Sequence, residues 1–367
     1  MQRQFDYENL GISVEVEEPS DLVWLTENLS PAFEVNSAAA TFFSIQCRCN
    51  RQLFDSLHRQ SQRQKLRAIN LFSMDGQAAS YPAWEAVDGS LRLLDSELAC
   101  IYIIDLTSRS ILISVSEPRH SVRIAMLRLI REIASQKVLE NDALHQHAAA
   151  ASVEGAGILV CGPRRAGKTT LLSHLLERGA NYIANDRSVI SQRARQGPIL
   201  SGMPTIVSVR ANTITLIDGL GCARQQGWLA RETVEETVAD RVTTYAQPDD
   251  ANLSLSPAQY CRLMERPQIK SAPLKYLLFP KVDTTTSGIL VSKLNTEEVM
   301  ERVTANHLDL SRTVFSAPGR AHRCSALADE LRARLAPRCQ AYSVVLGTNA
   351  KNQLRNLDFL WSPHAGL

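Results

Sequence analysis

The sequence predicts an α/β protein: a mixed, α+β-type sheet carrying a phosphate-binding loop, preceded by a smaller α+β domain. Three observations lead to this. Gly162-Pro-Arg-Arg-Ala-Gly-Lys168-Thr169 fits the spacing G-x-x-x-x-G-K-[ST]. The apolar run Gly157-Ile-Leu-Val-Cys161 leads into it and a leucine-rich run follows, which is a strand–loop–helix setting. The chain has 367 residues, enough for two domains with separate cores. The expected division is an accessory α+β domain over 1–138, a nucleotide-binding catalytic domain over 139–340 and a C-terminal tail over 341–367.

In the first domain the apolar segments 99–105 and 110–115, separated by Leu-Thr-Ser-Arg, read as a β-hairpin. Residues 123–134 place Ile124, Leu127, Ile130 and Ile133 at helical spacing, with arginines on the other face. This is an amphipathic helix whose arginine stripe is expected to be solvated. No catalytic motif stands in this part of the chain.

The second domain begins after Asn141-Asp142. Segments 148–153 and 158–161 read as two strands around the glycine-containing turn Glu154-Gly-Ala-Gly157. A helix over 170–178 follows the loop, with Gly179 where a C-terminal cap belongs. Further strands are expected at 181–184, 205–209, 213–217, 274–279 and 288–292. The polar stretch 228–267 reads as an inserted, mobile segment near the site.

The loop motif carries most of the chemistry. Its backbone N–H groups and the helix N-terminus suit the phosphates of a nucleotide, Lys168 reaches the β- and γ-phosphates, and the Thr169 hydroxyl suits Mg²⁺. Gly162, Arg164, Arg165, Ala166, Gly167 and Thr170 complete the expected nucleotide-binding set, with ATP and Mg²⁺ as cofactors. If the turn spans 154–157, Val153 faces Ile158 and His147 falls opposite Arg164, about 5 Å away. His147 therefore belongs beside the phosphates, and His145 lies past the loop. Asp186 ends the strand after the loop's helix, where a carboxylate can hold Mg²⁺ or accept a hydroxyl proton. Asp218, after the apolar run 213–217, is the competing acid. The segment Phe279-Pro-Lys-Val-Asp283 ends like the N-K-x-D base-recognition motif of GTPases, but Pro280 stands where the motif needs Asn.

The order of these parts, from His147 through the phosphate loop to Leu-Glu-Arg-Gly-Ala180-Asn-Tyr-Ile-Ala-Asn185-Asp186, resembles the HPr kinase/phosphorylase family and its kinase-like relatives. The resemblance covers residues 144–190 and extends to 201–210 and 273–280. It implies a nucleotide-binding core shared with the ATP-dependent phosphoenolpyruvate carboxykinases, and phosphate transfer to serine hydroxyls. Carried over, Lys168 binds the phosphates, Thr169 the magnesium, and His147 is the active-site histidine. Asn185 replaces the first of the family's paired aspartates, leaving Asp186 as base or metal ligand. The family's glutamate-arginine-glycine-leucine-glycine signature is absent, Gly219-Leu-Gly221 being a fragment, so the expectation is a divergent kinase rather than an HPr-specific enzyme. The resemblance also implies an oligomer.

Composition narrows the partners. With 44% hydrophobic and 21% charged residues and a formal net charge of +2, nothing in the whole-chain charge calls for nucleic acid or an anionic membrane. No signal-peptide stretch or uncharged run of about 18 residues is present, and a cytoplasmic location is expected. Eight cysteines lack paired C-x-x-C spacing and read as separate reduced thiols; Cys47-Arg-Cys49 has no second pair to make a zinc site. The function expected is an ATP-dependent kinase acting on a hydroxyl of a peptide, a protein or a small molecule. The alternative is a nucleotide-binding switch or ATPase built on Asp218.

Overall fold

The computed structural model divides the chain into two compact units, Met1–Asn141 with Asp309–Cys324, and Asp142–Leu308 with Ser325–Leu367. It describes the chain except residues 38, 75–76, 119–120, 141–142, 194–196, 211–212, 214–215, 218–251, 309–312, 317–332, 334, 336 and 363–367. The first break falls three residues after the expected one at 138. The return of 309–324 to the first unit has no counterpart in the sequence reading. No helix among the described residues is long and apolar enough to cross a membrane.

The first unit is built on one nine-stranded sheet in the order β3-β1-β2-β4-β9-β8-β7-β6-β5. Its strands are β1 (Gln2–Tyr7), β2 (Leu10–Glu15), β3 (Glu34–Val35), β4 (Thr41–Cys49), β5 (Arg67–Met74), β6 (Gln77–Glu85), β7 (Leu91–Asp95), β8 (Cys100–Asp105) and β9 (Ser110–Val115). The expected hairpin is the antiparallel pair β8–β9, whereas β2–β4 and β4–β9 are parallel. Helices are α1 (Pro19–Leu29), α2 (Arg51–Ser61) and α3 (Ser121–Glu140). Helix α2 packs Leu53, Phe54 and Leu57 on Trp84, Ile101 and Ile103. Arg128 of α3 lies 6.0 Å from the Phe72 ring, and Phe72 meets Tyr102. Since Ile101 and Tyr102 point to opposite sheet faces, the two helices cover opposite sides.

Helix α3 is not an amphipathic helix with a solvated arginine face. Arg123 and Glu132 are buried along with Ile124, Ala125, Met126, Leu127, Leu129, Ile130 and Ile133. The Arg123 Nε donates to Asp21 Oδ1 at 2.6 Å and its Nη2 to Ser20 Oγ at 3.0 Å, both on α1. Glu132 Oε1 accepts from Thr313 Oγ1 at 3.1 Å, and Phe315 sits edge-on to Phe43, which ties the returning segment to this unit. The arginine stripe misled because a buried cation is admissible when a carboxylate from a distant part of the chain meets it.

The second unit has an eight-stranded sheet. Its strands are β10 (Leu144–Val153), β11 (Ala156–Cys161), β12 (Asn181–Ala184), β13 (Arg187–Arg193), β14 (Gly197–Gly202), β17 (Ser271–Ser287), β18 (Ile289–Lys293) and β19 (Gln340–Thr348). A separate pair, β15 (Val207–Arg210) and β16 (Asn252–Leu255), lies outside it. Along one stretch the order is β12-β10-β11-β17-β19-β18, in which β11, β17 and β19 run parallel and β10 and β18 oppose them. The first residues of β10 and β17, 144–147 and 271–273, instead join β13 and β14. Alternate residues of the sheet feed two cores. Ala149, Ala151, Val160, Leu278 and Val344 meet the leucines of α4 (Lys168–Glu177), α5 (Pro257–Leu263) and a 3₁₀ helix (Ala350–Leu360). Ala148, Ala150, Leu159, Leu277 and Phe279 meet Val299 and Val303 of α6 (Thr296–Ala305) on the other side. Strands buried on both faces explain the nearly unbroken apolar runs in the sequence.

Several boundaries differ from expectation. Residues 341–362 of the expected tail are structured: β19 is an inner strand, and the 3₁₀ helix is held by Arg178, which donates to Leu354 O at 2.6 Å, pairs with Asp358 at 2.5 Å and lies over Trp361 at 4.4 Å. The stretch 228–267 is structured in its second part, where Ser256 and Gln259 form a reciprocal capping box that starts α5. That S-x-x-Q spacing was readable in the sequence, and Tyr260 packs edge-on to Tyr182. Thr213 and Leu216 have helical backbone where a strand was expected. Thr213 and Ile217 are buried, and residues 214–215 of that expected strand lie outside the described residues.

The buried Arg123–Asp21 pair yields a stability prediction. Asp21→Ala leaves a guanidinium buried without its carboxylate and is expected to cost about 3 kcal/mol, measured by urea denaturation followed through tryptophan fluorescence. Replacing both partners with apolar residues, Asp21→Leu with Arg123→Met, is expected to cost clearly less than the single change.

Candidate functional site

The hairpin before the loop turns on two residues, not four. Val153 pairs with Ala156 and Ala148 with Cys161, leaving Glu154 and Gly155 as the turn. Both have positive φ, +48° and +80°, as a tight hairpin of right-handed twist requires. The expected facing of His147 and Arg164 is therefore wrong by two residues in register. Arg164 and Arg165 are exposed on the loop, and His147 pairs instead with Arg187 on β13.

The loop itself sits between β11 and α4. Gly167 caps α4 at φ +97°, and a Cβ there would lie 3.0 Å from both Val282 Cγ2 and Leu346 Cδ1. Arg165 takes φ +67°, an uncommon state for a residue with a side chain. Ala166 is partly buried, and its N–H reaches Pro163 O at 3.2 Å. Lys168 is almost wholly buried, its Nζ donating to Gly162 O at 2.8 Å and Pro163 O at 3.1 Å. Its ammonium is thus held over the loop rather than in solvent. Thr170 Oγ1 lies 2.9 Å from Thr213 Oγ1, which ties the first turn of α4 to the 213–217 segment. Gly179, at φ +102°, ends the helix as anticipated, its N–H bonding to Leu176 O at 2.9 Å.

Two strand ends and the middle of β10 converge beside this loop. β11 and β12 flank β10 and run the same way, so Gly162 and Asn185-Asp186 follow their strands at one edge, where the antiparallel β10 brings in His147. His147 Nε2 meets Asp186 Oδ1 at 2.9 Å, a contact that needs the proton on Nε2. The His147 N–H donates to Asn306 O at 2.9 Å, and Ala148 N–H to Asp186 O at 3.0 Å, so the main chains of both partners are pinned. Asn185 is buried, and its Oδ1 accepts from Thr169 Oγ1 at 3.4 Å. The residue that replaces an expected aspartate is therefore the one touching the threonine of the loop. His145 is buried, and its carbonyl accepts from Leu308 N–H at 3.0 Å, with no exposure to the loop edge.

Burial acts to raise the Asp186 carboxyl, but the hydrogen bond and charge of His147, then Arg187 and Lys168, prevail and leave it below its ordinary 3.8. Asp186 is ionised at neutral pH, and its side chain is 37% exposed, open to a ligand from the solvent side. Burial pushes the Cys161 thiol, just before the loop, up to about 12, so it is no nucleophile at neutral pH. Asp218 and Gly219-Leu-Gly221 lie outside the described residues, as does 228–251.

The donors at this edge suit a hard divalent cation better than a soft one. Thr169 Oγ1, Asn185 Oδ1 and the Asp186 carboxylate are all oxygen, and Mg²⁺ is commonly held by one or two protein oxygens, with waters and phosphates filling the rest. Among the described residues no group of three or more His, Cys, Asp or Glu side chains comes together to cage a metal. The loop likewise fits phosphate: glycine openings, a helix N-terminus and a buried ammonium share one place.

Sequence reasoning did not foresee three participants. Asn185, which in sequence resembles a lost acid, is a partner of Thr169, the Asn306 carbonyl that supports His147 has no local signature, and Val282 lies beyond the expected end of its strand. No protein-family model matches the chain, and no curated protein matches it.

The Asp186 shift has a defined sign. A carboxyl whose folded-state value lies below the unfolded 3.8 adds stability above that value, and loses it as pH falls through the lowered one. Asp186→Asn is therefore expected to flatten the acid side of the stability profile, measured as melting temperature between neutral pH and about pH 3. A variant with the same acid dependence as wild type contradicts the His147–Asp186 pairing.

Proposed function

We propose that this chain is an ATP-dependent kinase that moves the γ-phosphoryl group to a hydroxyl, of Ser or Thr in a peptide or protein or of a small molecule. The observation that carries this reading is the 2.9 Å contact between His147 Nε2 and Asp186 Oδ1 at the edge that also holds the phosphate loop. The similarity of residues 144–190 to the HPr kinase-like group supports it. A loop alone is compatible with any use of a nucleotide; a carboxylate aimed at the loop's edge and steadied by an imidazole suits an acceptor hydroxyl.

In this reading Lys168, released from the Gly162 and Pro163 carbonyls, and the loop N–H groups offset the charge of the β- and γ-phosphates. Thr169 and Asp186, with Asn185 beside them, would hold Mg²⁺, which when bound would offset the phosphate charge. Asp186 accepts the hydrogen bond of the incoming hydroxyl, fixes its direction and takes its proton as the new P–O bond forms and ADP leaves, and His147 keeps that carboxylate in place. A carboxylate below 3.8 is a weak base. Phosphoryl transfer tolerates this, because its loose transition state asks for positioning and charge compensation more than for early proton removal. Exposed Arg164 and Arg165 add positive charge along the loop.

Labelled ATP incubated with Ser- and Thr-containing peptides and small polyols tests the proposal. Asp186→Asn is expected to lower acceptor labelling about 100-fold or more with nucleotide binding retained, and His147→Ala to lower it less. Lys168→Ala is expected to weaken nucleotide binding itself. Acceptor-independent hydrolysis that survives Asp186→Asn and disappears in Asp218→Asn would sink the kinase reading in favour of an ATPase.

A further inference from the structure

Asn185 and Asp186 lie in a bend between β12 and β13 rather than in a strand, so no pleat sends their side chains to opposite faces. Both reach the loop's edge, Asp186 through His147 and the charge of Lys168, and Asn185 through Thr169. The Thr169 contact orients the Asn185 amide. A hydroxyl that is to offer lone pairs to a cation must pass its one proton elsewhere, and Asn185 Oδ1 accepts it at 3.4 Å. Nδ2, with its two N–H groups, is then the other end of the same planar amide. Among the described residues Nδ2 has no hydrogen-bond partner, and it keeps an opening to solvent although Asn185 is only 7% exposed. A free donor on a mostly buried residue calls for an acceptor in the working state of the protein.

This inference rests on the kinase reading above and concerns which nucleotide the site takes. The loop N–H groups address phosphates that a nucleoside diphosphate also has. What a triphosphate adds is the γ-phosphoryl group, which in that reading stands toward Asp186 and so beside Asn185. Its oxygens are negatively charged and accept hydrogen bonds without donating any. An aspartate at position 185 could take the Thr169 proton, but its second oxygen would turn negative charge toward the γ-phosphoryl group. Asparagine keeps the acceptor and puts a donor in place of that oxygen, and a hydrogen bond to a charged acceptor is stronger than one between neutral groups. We propose that Asn185 Nδ2 donates to a γ-phosphoryl oxygen, so that Asn185 selects a nucleoside triphosphate over a diphosphate while its Oδ1 holds the Thr169 hydroxyl ready for the cation. The position where an acid is missing is in this account a gained donor.

Titration calorimetry of the full chain with the β,γ-imido analogue of ATP and with ADP, both in excess Mg²⁺, tests this. Wild type is expected to bind the analogue more tightly than ADP. Asn185→Ala removes the donor without adding charge, and is expected to cut that preference about tenfold by weakening the analogue more than ADP. Asn185→Asp keeps an acceptor for Thr169, and is expected to cut the preference at least as far with ADP affinity close to wild type. Were Asn185 only a weakened metal ligand, Asn185→Asp would tighten both complexes. Should Asn185→Ala lose its fold, seen as melting well below wild type, Asn185→Asp, of the same shape, carries the test. An unchanged or increased preference in a folded variant overturns the proposal with the phosphate loop intact, as does equal wild-type affinity for the two nucleotides. Binding of neither nucleotide by wild type removes the kinase reading and this role with it.

Discussion

Strand β10 is hydrogen-bonded to β11 and β12 along Ala148–Val153 and to β13 along Leu144–His147, and the chemistry of the second unit depends on that change of partners. At the changeover β12 ends and β13 begins, so the chain between them, Asn185-Asp186, is held where β10 exchanges one set of partners for the other. Main-chain bonds from Ala148 N–H to Asp186 O and from His147 N–H to Asn306 O lock both sides. The imidazole–carboxylate contact follows from backbone register rather than from side-chain preference. A one-residue slip in β10 would send His147 to the opposite face.

The loop is set by the same strand. The Glu154–Gly155 turn makes β11 the immediate neighbour of β10, and the small side chains of Ala149 and Ala151 share a core with the α4 leucines. Lys168 begins that helix and already feels the site, since its charge helps hold the Asp186 carboxyl down. The loop lysine and the carboxylate are therefore coupled electrostatically and carried on neighbouring elements of one unit.

Much of this was legible in the sequence, and the misses have physical causes. The strand–loop–helix and Gly179 as a cap were readable because each rests on local spacing, and the place of Asp186 because it directly follows a short apolar strand. His147 was reached through a mistaken four-residue turn: Glu154-Gly-Ala-Gly157 offers glycine at two places, and only the backbone decides that Gly155 turns while Gly157 stays in a strand close to Pro273 O. The reach of β17 beyond Pro280 was hidden because its outer part is polar and bulged, without the alternation that marks a strand. Arg123 looked like a surface cation because its partner, Asp21, is 102 residues away. The C-terminal segment looked like a tail because Arg178, which anchors it, is remote in the chain.

The position of a bound triphosphate decides between a kinase and any other use of this loop. A crystal structure of the full chain grown with Mg²⁺ and a non-hydrolysable ATP analogue is the most direct measurement. The prediction is a β-phosphate cradled by the 162–169 loop with Lys168 turned onto it, and a γ-phosphate on the His147–Asp186 side of the loop. Nucleotide bound with its γ-phosphate directed away from Asp186, or bound elsewhere with the loop unchanged, would contradict it.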